Sequence, residues 1–318
     1  MTEFKTNQEI IDNLTQFLRE NQMKKDYFRA NAYRKAIQQI RSLNYEITDV
    51  SQVVGMPGIG VKIREKIALV LEGRPKKAAI DPFIEDLLKI PGVGPVKARE
   101  ISEAGVRSIA QLRARQGLLD SKQRIGLKYY DSLSKKIPRS EMDRHHALLH
   151  SIANEMKLMG DLPEFRARRE GFETLDVEVA GSYRRGYAES SDIDVILTST
   201  DPRMFGCFIL LLRQYGYIID TLSEGSKMFM GFVKIGANPA RRLDIIYTTP
   251  QEYPFSLLYF TGPKRFNEEL RLEARRRGLL LNQHGLFRGT ARVPGLHTER
   301  AIIEYMGFPY RAPSKREG

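Results

Sequence analysis

The stretch GSYRRGYAESSDIDVILTS, residues 181–199, decides the architecture. Asp192 and Asp194 flank Ile193 and run into Val195-Ile196-Leu197, a short apolar run behind turn-forming residues that reads as a strand. Side chains at i and i+2 of a strand share a face. Two carboxylates therefore stand side by side and repel each other unless cations lie between them. A glycine-serine turn with Arg184 and Arg185 precedes them, separated from Asp192 by nine residues counted from Ser182. An ordinary surface strand with D-x-D spacing is the plain alternative. Against it stands a third acid, Asp244 in RRLDII (241–246), a lone carboxylate in an otherwise apolar strand, where burial demands a partner.

Transfer from a nucleoside triphosphate needs such a set. Charge develops on attacking, transferring and leaving oxygens, and two Mg²⁺ ions roughly 3.5–4 Å apart neutralise it; Mg²⁺ takes carboxylate and phosphate oxygens. Asp192 and Asp194 suit the bridging of two ions, and Asp244 suits the side of an attacking 3′-oxygen. Ser182 and Arg185 are placed to grip a triphosphate, arginine forks matching phosphate geometry. Lys136 is a further cation for the same tail or a solvated lysine.

Working outward, residues 1–72 read as helical. Ile10, Ile11, Leu14, Phe17 and Leu18 recur at helical spacing, as do Tyr33, Ile37, Ile40 and Leu43. Gly73-Arg74-Pro75-Lys76-Lys77 reads as a linker. Short helices resume from Phe83 to about Lys136, and a long helix carries Met142, Leu148, Leu149, Ile152 and Met156. After Glu173 strands are expected at 177–179, 192–197, 229–235 and 243–247. The order predicts an α+β multidomain chain: helical domains first, then a mixed α/β part.

One repeat stands out. Pro57-Gly58-Ile59-Gly60 precedes Val61-Lys62-Ile63, and Pro91-Gly92-Val93-Gly94 precedes Pro95-Val96-Lys97, 34 residues later. Glycine permits a tight turn and close backbone approach, and amides at the following helix start suit a phosphate. This is helix-hairpin-helix logic, which holds the DNA backbone without reading bases; a plain helix-helix turn is the alternative. The charge is distributed accordingly. Of a formal +12, residues 86–140 hold 12 Lys/Arg against 5 Asp/Glu, which points to a polyanionic partner.

Hydrophobic residues at 42% and charged residues at 28% of the 318 suit a globular chain of several domains. A single cysteine, Cys207, excludes a disulfide framework and points to a reducing intracellular compartment, whether nucleus, organelle or viral cytoplasmic site. The apolar run 207–212 is too short to span a bilayer, and MTEFKTNQEI lacks the pattern of a secretory signal. No G-x-G-x-x-G or P-loop occurs.

Taken together, NAYRKA (31–36), PGIGVKIREKI (57–67), QRIGLKYY (123–130), KKIPR (135–139), GSYRRG (181–186) with DID (192–194), TLSEGSKMFMG (221–231), RRLDI (241–245) and LYFTG (258–262) resemble the family X DNA polymerases, DNA polymerase beta above all. The resemblance covers nearly the whole chain. It implies a helical lyase domain with the first hairpin (1–80), a DNA-binding subdomain with the second (81–140), a nucleotidyltransferase palm (141–250) and a nucleotide-selection subdomain (251–318). It implies DNA-directed gap filling in base excision repair with two Mg²⁺ ions (or Mn²⁺) on Asp192, Asp194 and Asp244, the last as the base-side carboxylate.

The resemblance carries further roles. Ser182, Arg185, Lys136 and Ser191 contact the triphosphate; Tyr259, Phe260 and Gly262 meet the incoming sugar and exclude a 2′-hydroxyl; Lys264 and Asn267 lie at the nucleotide, and Arg271 at the nascent pair and template. Gly58, Gly60, Lys62, Tyr33, Arg29, Gly92, Gly94, Lys97 and Arg242 are DNA contacts. A monovalent Na⁺ or K⁺ belongs at the backbone of Val54, Met56 and Ile59, and another at Leu88, Ile90 and Val93. Partners implied are gapped or nicked duplex, dNTPs, DNA ligase and other repair proteins, with no membrane and a monomeric state.

In the first hairpin block Lys62 and Lys66 lie four apart on one helix face. Nearby positive charge disfavours a second ammonium, and by motif match Lys66 is the Schiff-base nucleophile of a 5′-deoxyribose phosphate lyase, with Lys62 and Tyr33 lining its phosphate pocket. Some positions depart from the family. Phe28 and Arg29 stand where strong lyases carry histidine and lysine, and Val54 replaces a lysine. Ile246, Gln283 and His284 replace an arginine–glutamate–tyrosine cluster that holds the closed form, and Lys264 replaces an acid over the incoming base. Gly262-Pro263 lies where the family bends through a cis peptide, a form costing only about 0.5–1 kcal/mol before proline, and cis is expected. A template-independent nucleotidyltransferase and a non-catalytic gap-binding protein are the remaining readings.

Overall fold

The computed structural model describes residues 4–74 and 82–316. Pro75, Lys76 and Lys77 of the expected linker lie outside them. The chain divides into two compact units, 1–127 and 128–318.

The first unit is helical: α1 (Lys5–Met23), α2 (Tyr27–Arg41), α3 (Val61–Leu71), α4 (Pro82–Leu88), α5 (Pro95–Glu103), α6 (Ile109–Ala114) and α7 (Ser121–Lys128). The periodic apolar residues make its core. Ile10, Ile11 and Leu14 of α1 pack with Ala36, Ile37 and Ile40 of α2 and Ile63, Ile67 and Val70 of α3. Asp26 caps α2 by accepting the Arg29 amide at 3.0 Å. The two repeated turns share one backbone shape. Gly58 and Gly92 take φ of +83° and +84°, a region that favours glycine, and Gly60 and Gly94 cap the next helices with ψ of 176° each. The first turn presses on α2, where a Cβ on Gly58 would meet Lys35 Cβ at 3.0 Å. The second is braced by buried Gln123, whose Nε2 donates to the Gly92 carbonyl at 3.0 Å.

The second unit opens with α8 (Tyr130–Leu133), β1 (Ile137–Pro138), α9 (Arg139–Met159), α10 (Arg169–Glu173) and β2 (Asp176–Val179). Then come α11 (Gly181–Arg184), β3 (Glu189–Ser190), β4 (Ile193–Thr198), α12 (Arg203–Gln214), β5 (Ile218–Glu224), β6 (Met228–Val233) and β7 (Arg241–Thr248). It ends with α13 (Tyr253–Thr261), α14 (Lys264–Arg276), β8 (Leu280–Asn282), β9 (Gly285–Arg288), β10 (Ala291–Arg292) and α15 (Glu299–Tyr305). A five-stranded sheet runs β2-β4-β7-β6-β5, with β4 and β7 parallel and the other pairs antiparallel. Buried side chains of α9 and α12 share one core with this sheet. A separate core joins α13, α14 and α15 to the small β8–β10 sheet. Strand β5 has no counterpart among the sequence expectations, because Ile218-Ile219-Asp220-Thr221-Leu222-Ser223-Glu224 lacks apolar/polar alternation. No helix among the described residues is long and apolar enough to cross a membrane.

Candidate active site

Strand register assembles the acids. In the parallel β4–β7 ladder Asp194 stands opposite Asp244, and Asp192 immediately precedes β4. The turn into α11 needs glycine at 181: φ is +60°, and a Cβ would lie 2.3 Å from Asp194 Oδ2. Burial, with repulsion from Asp192 and Asp244, pushes the Asp194 carboxyl up to about 8. Asp192 is raised too, by burial first and the Asp244 charge second, with Arg242 and Lys136 opposing. The answer to what lies between the carboxylates is therefore only partial: the cations present do not offset burial and mutual repulsion.

Arg242, expected on DNA, forks onto Asp244, Nε to Oδ1 at 3.1 Å and Nη2 to Oδ2 at 2.7 Å. Among the described residues no three Asp, Glu, His or Cys side chains stand ready to enclose a metal ion. The donor chemistry fits a divalent pair nonetheless. Asp192 and Asp194 are raised by burial and by the neighbouring acidic charges, which a cation would relieve, and the glycine cradle leaves the Asp194 oxygen uncovered by a side chain.

Cationic and hydroxyl donors flank the acids. Lys136 Nζ donates to Ser191 Oγ at 2.6 Å, and Ser182 Oγ donates to Ser190 Oγ at 2.9 Å. Arg185 donates through Nη1 to the Thr261 carbonyl at 2.5 Å and lies over the Tyr187 ring at 4.9 Å. Its Nε is buried and has no hydrogen-bond partner among the described residues. Arg184, given no role from sequence, reaches Glu299 at 2.8 Å, Thr261 Oγ1 at 2.8 Å and Glu178 at 3.3 Å, tying α11 to α13, α15 and β2.

Helix α13 packs on β4 and α11 and presents Tyr259 and Phe260, their rings edge to face at 5.2 Å. Asn267 Nδ2 donates to the Tyr259 carbonyl at 2.6 Å, and the Arg271 guanidinium covers the Tyr259 ring at 4.7 Å. The Gly262-Pro263 bond is cis, as expected. Lys264 is exposed, 3.9 Å from Glu268. At the substituted closing positions, Ile246 is half-buried, and His284 contacts Gln283 at 3.2 Å and Glu252 at 3.1 Å.

The first unit holds a separate cluster. Lys66 Nζ sits 3.9 Å over the Phe17 ring, and Phe17 stacks on Tyr33 at 5.8 Å. Burial, and then the Glu20 charge, raise the Tyr33 hydroxyl above its ordinary value. Lys62 is exposed on the same helix; Arg29 lies 3.3 Å from Asp26, and Lys97 3.7 Å from Glu100. Phe28 and Val54, two of the positions that depart from the family, are 88% and 58% exposed. At the expected monovalent sites the carbonyls of Met56 and Ile90 accept the amides of Ile59 and Val93 at 3.1 and 3.0 Å.

Four family models tile the chain: Helix-hairpin-helix domain over residues 5–76, Fingers domain of DNA polymerase lambda over 85–134, DNA polymerase beta palm over 136–250 and DNA polymerase beta thumb over 256–317. The chain belongs to the family X DNA polymerases. Two relatives show the extent of the family X match. DNA polymerase lambda of Rattus norvegicus is 30% identical over 320 residues, covering 92% of this chain and 53% of that protein. DNA polymerase lambda of Arabidopsis thaliana is 30% identical over 322 residues, covering 91% of this chain and 58% of that protein. The chain thus spans between half and three-fifths of the relatives' length.

Proposed function

We propose that this chain is a template-directed, gap-filling DNA polymerase of base excision repair, acting on gapped or nicked duplex with dNTPs. The observation that carries the reading is the in-register pair Asp194–Asp244, joined by Asp192 and flanked by the Lys136–Ser191 and Arg185 donors. Asp192, Asp194 and Asp244 would hold two divalent ions, Mg²⁺ or Mn²⁺, which would neutralise the charge of phosphoryl transfer. An Asp244 carboxylate oxygen accepts the proton of the primer 3′-hydroxyl as the hydroxyl oxygen attacks the α-phosphorus and the bond to the leaving pyrophosphate breaks. Lys136, Ser182, Ser191 and Arg185 bind the triphosphate, and Tyr259, Phe260 and Gly262 crowd a ribose 2′-hydroxyl. Lys264 and Asn267 contact the nucleotide, Arg271 the nascent pair.

We assign lyase chemistry to Lys66. Its Nζ adds to the C1′ aldehyde of a 5′ abasic sugar and water leaves, forming a Schiff base. Loss of a C2′ proton expels the 3′ phosphate oxygen, and hydrolysis frees the sugar phosphate. Tyr33 at the same aromatic stack and Lys62 on the same helix suit the phosphate; Arg29, Gly58, Gly60, Gly92, Gly94 and Lys97 suit the DNA backbone, with a monovalent cation at each turn. The lyase, DNA-binding, palm and nucleotide-selection parts are proposed to span 1–80, 81–140, 141–250 and 251–318.

A one-nucleotide gapped duplex bearing a 5′ abasic phosphate, supplied with Mg²⁺ and dNTP, tests both chemistries. Asp244→Ala is expected to stop extension and spare sugar release; Lys66→Ala is expected to do the reverse. Extension by Asp244→Ala at the wild-type rate would overturn the polymerase assignment. Wild-type binding with neither activity would leave a non-catalytic gap binder.

A further inference from the structure

Behind the acid site runs a buried ionic chain to which the proposed chemistry gives no task. Arg241 opens β7, one residue before Arg242. Neighbouring strand side chains point to opposite faces, so Arg242 reaches Asp244 while Arg241 turns away and is only 5% exposed. There its Nε and Nη2 donate to the two carboxylate oxygens of Glu141 on α9 at 2.8 and 2.7 Å, and its Nη1 donates to the Lys135 carbonyl at 3.0 Å. Burial alone would raise the Glu141 carboxyl, but the Arg241 fork outweighs it and the group sits below its ordinary value. One turn along α9, fully buried His145 lies 3.6 Å from Glu141 and shares a 2.7 Å hydrogen bond with the Tyr217 hydroxyl.

An ion pair this deep is a poor device for stability alone, because desolvation offsets most of its attraction and apolar side chains of similar volume serve as well or better. Its third contact supplies a positional reason. The Lys135 carbonyl belongs to the peptide unit that leads into Lys136, and on the other side Ile137 pairs with Ser190 between β1 and β3. The Lys136 backbone is therefore fixed from both sides. A lysine stem is flexible and presents a point charge, so fixing its root is the way to aim it. Its ammonium meets Ser191, at the edge of the site.

We propose that Arg241, clamped by Glu141, is a positioning residue for nucleotide binding. It holds the Lys135 carbonyl so that Lys136 faces the triphosphate, and through the first residue of β7 it ties that lysine to the strand bearing Asp244. This rests on the assignment of Lys136 to the triphosphate.

The test is a double-mutant cycle on the gapped duplex. Arg241→Lys keeps the charge and loses the planar fork. It is expected to raise KM for dNTP about tenfold, the scale of one weakened charge-assisted contact, with kcat within about twofold. In a Lys136→Ala background the same change is expected to leave KM unmoved, since the lever acts through that lysine. Glu141→Gln, which removes charge and keeps shape, is expected to give a smaller rise of the same kind, and it carries the cycle if Arg241→Lys does not fold. KM effects that multiply in the double variant, or a fall in kcat at unchanged KM, would overturn the positioning role. If the wild type itself does not extend the primer, the polymerase reading fails instead. The same cycle then reads dNTP-dependent thermal stabilisation, where additive losses overturn the positioning role and non-additive losses uphold it.

Discussion

Asp194 and Asp244 face each other across two parallel strands while Arg242, two residues from the second, holds it by both oxygens. The local charge balance follows from that relationship. The first acid is left buried and short of cations, and the second is shared between an arginine and whatever else the site binds.

Asp244→Asn keeps the shape and removes the charge. Nucleotide addition is expected to fall by at least about 10³-fold, roughly 4 kcal/mol of transition-state stabilisation, while affinity for gapped duplex changes little. Single-turnover extension and a mobility-shift titration measure the two separately. A loss shared equally by both would count against a purely chemical role.

Gly181→Ala should hurt twice. The positive φ costs about 1–2 kcal/mol for a residue with a Cβ, and that Cβ would stand 2.3 Å from Asp194 Oδ2. Chemical denaturation is expected to show a stability loss of that order, together with a marked drop in extension. Gly225→Ala, where the nearest atom to a Cβ is 3.9 Å away, serves as the neutral control.

Borohydride reduction in the presence of a 5′ abasic phosphate should trap the wild type covalently and spare Lys66→Ala. Gap filling on a substrate that lacks the sugar is expected to be the same for both proteins. Undiminished trapping of the variant would move the nucleophile to another amine.

His145 gives a pH signature. Burial, the leading cause, pushes the imidazole down to about 4, against an unfolded value near 6.5. Between these the unfolded chain binds the extra proton, so the contribution is whole above pH 6.5 and is lost as pH falls toward 4, roughly 3 kcal/mol in all. Urea unfolding of the wild type is expected to weaken more steeply over that interval than unfolding of His145→Gln. Parallel curves would exclude this histidine as the cause.

Much of the candidate site was legible because acids in apolar strands cannot pass for solvent-facing ones. Asp192, Asp194 and Asp244 are conspicuous for that reason, and the hairpins are conspicuous because the turn Pro-Gly-x-Gly occurs twice, 34 residues apart. The helical periodicity of α1 and α2 reads as core and is core. Other features leave no local trace. Glu141 and Arg241 sit 100 residues apart and each looks like a solvated charge. Phe17 reads as an ordinary member of an apolar stripe until Lys66 is found above it. Nothing in the sequence around Arg242 announces the fork it makes onto Asp244. Strand β5, at the sheet edge, lacks the apolar/polar alternation by which a strand is read.

The matched glycine turns at 58 and 92 carry a consequence for target choice. What they offer is main chain, identical in chemical character wherever it meets a sugar-phosphate rail, and such contacts hold position without reading letters. On the proposed function, damage in any genomic neighbourhood would be met on equal terms, and the grip would loosen with added electrolyte rather than with altered code.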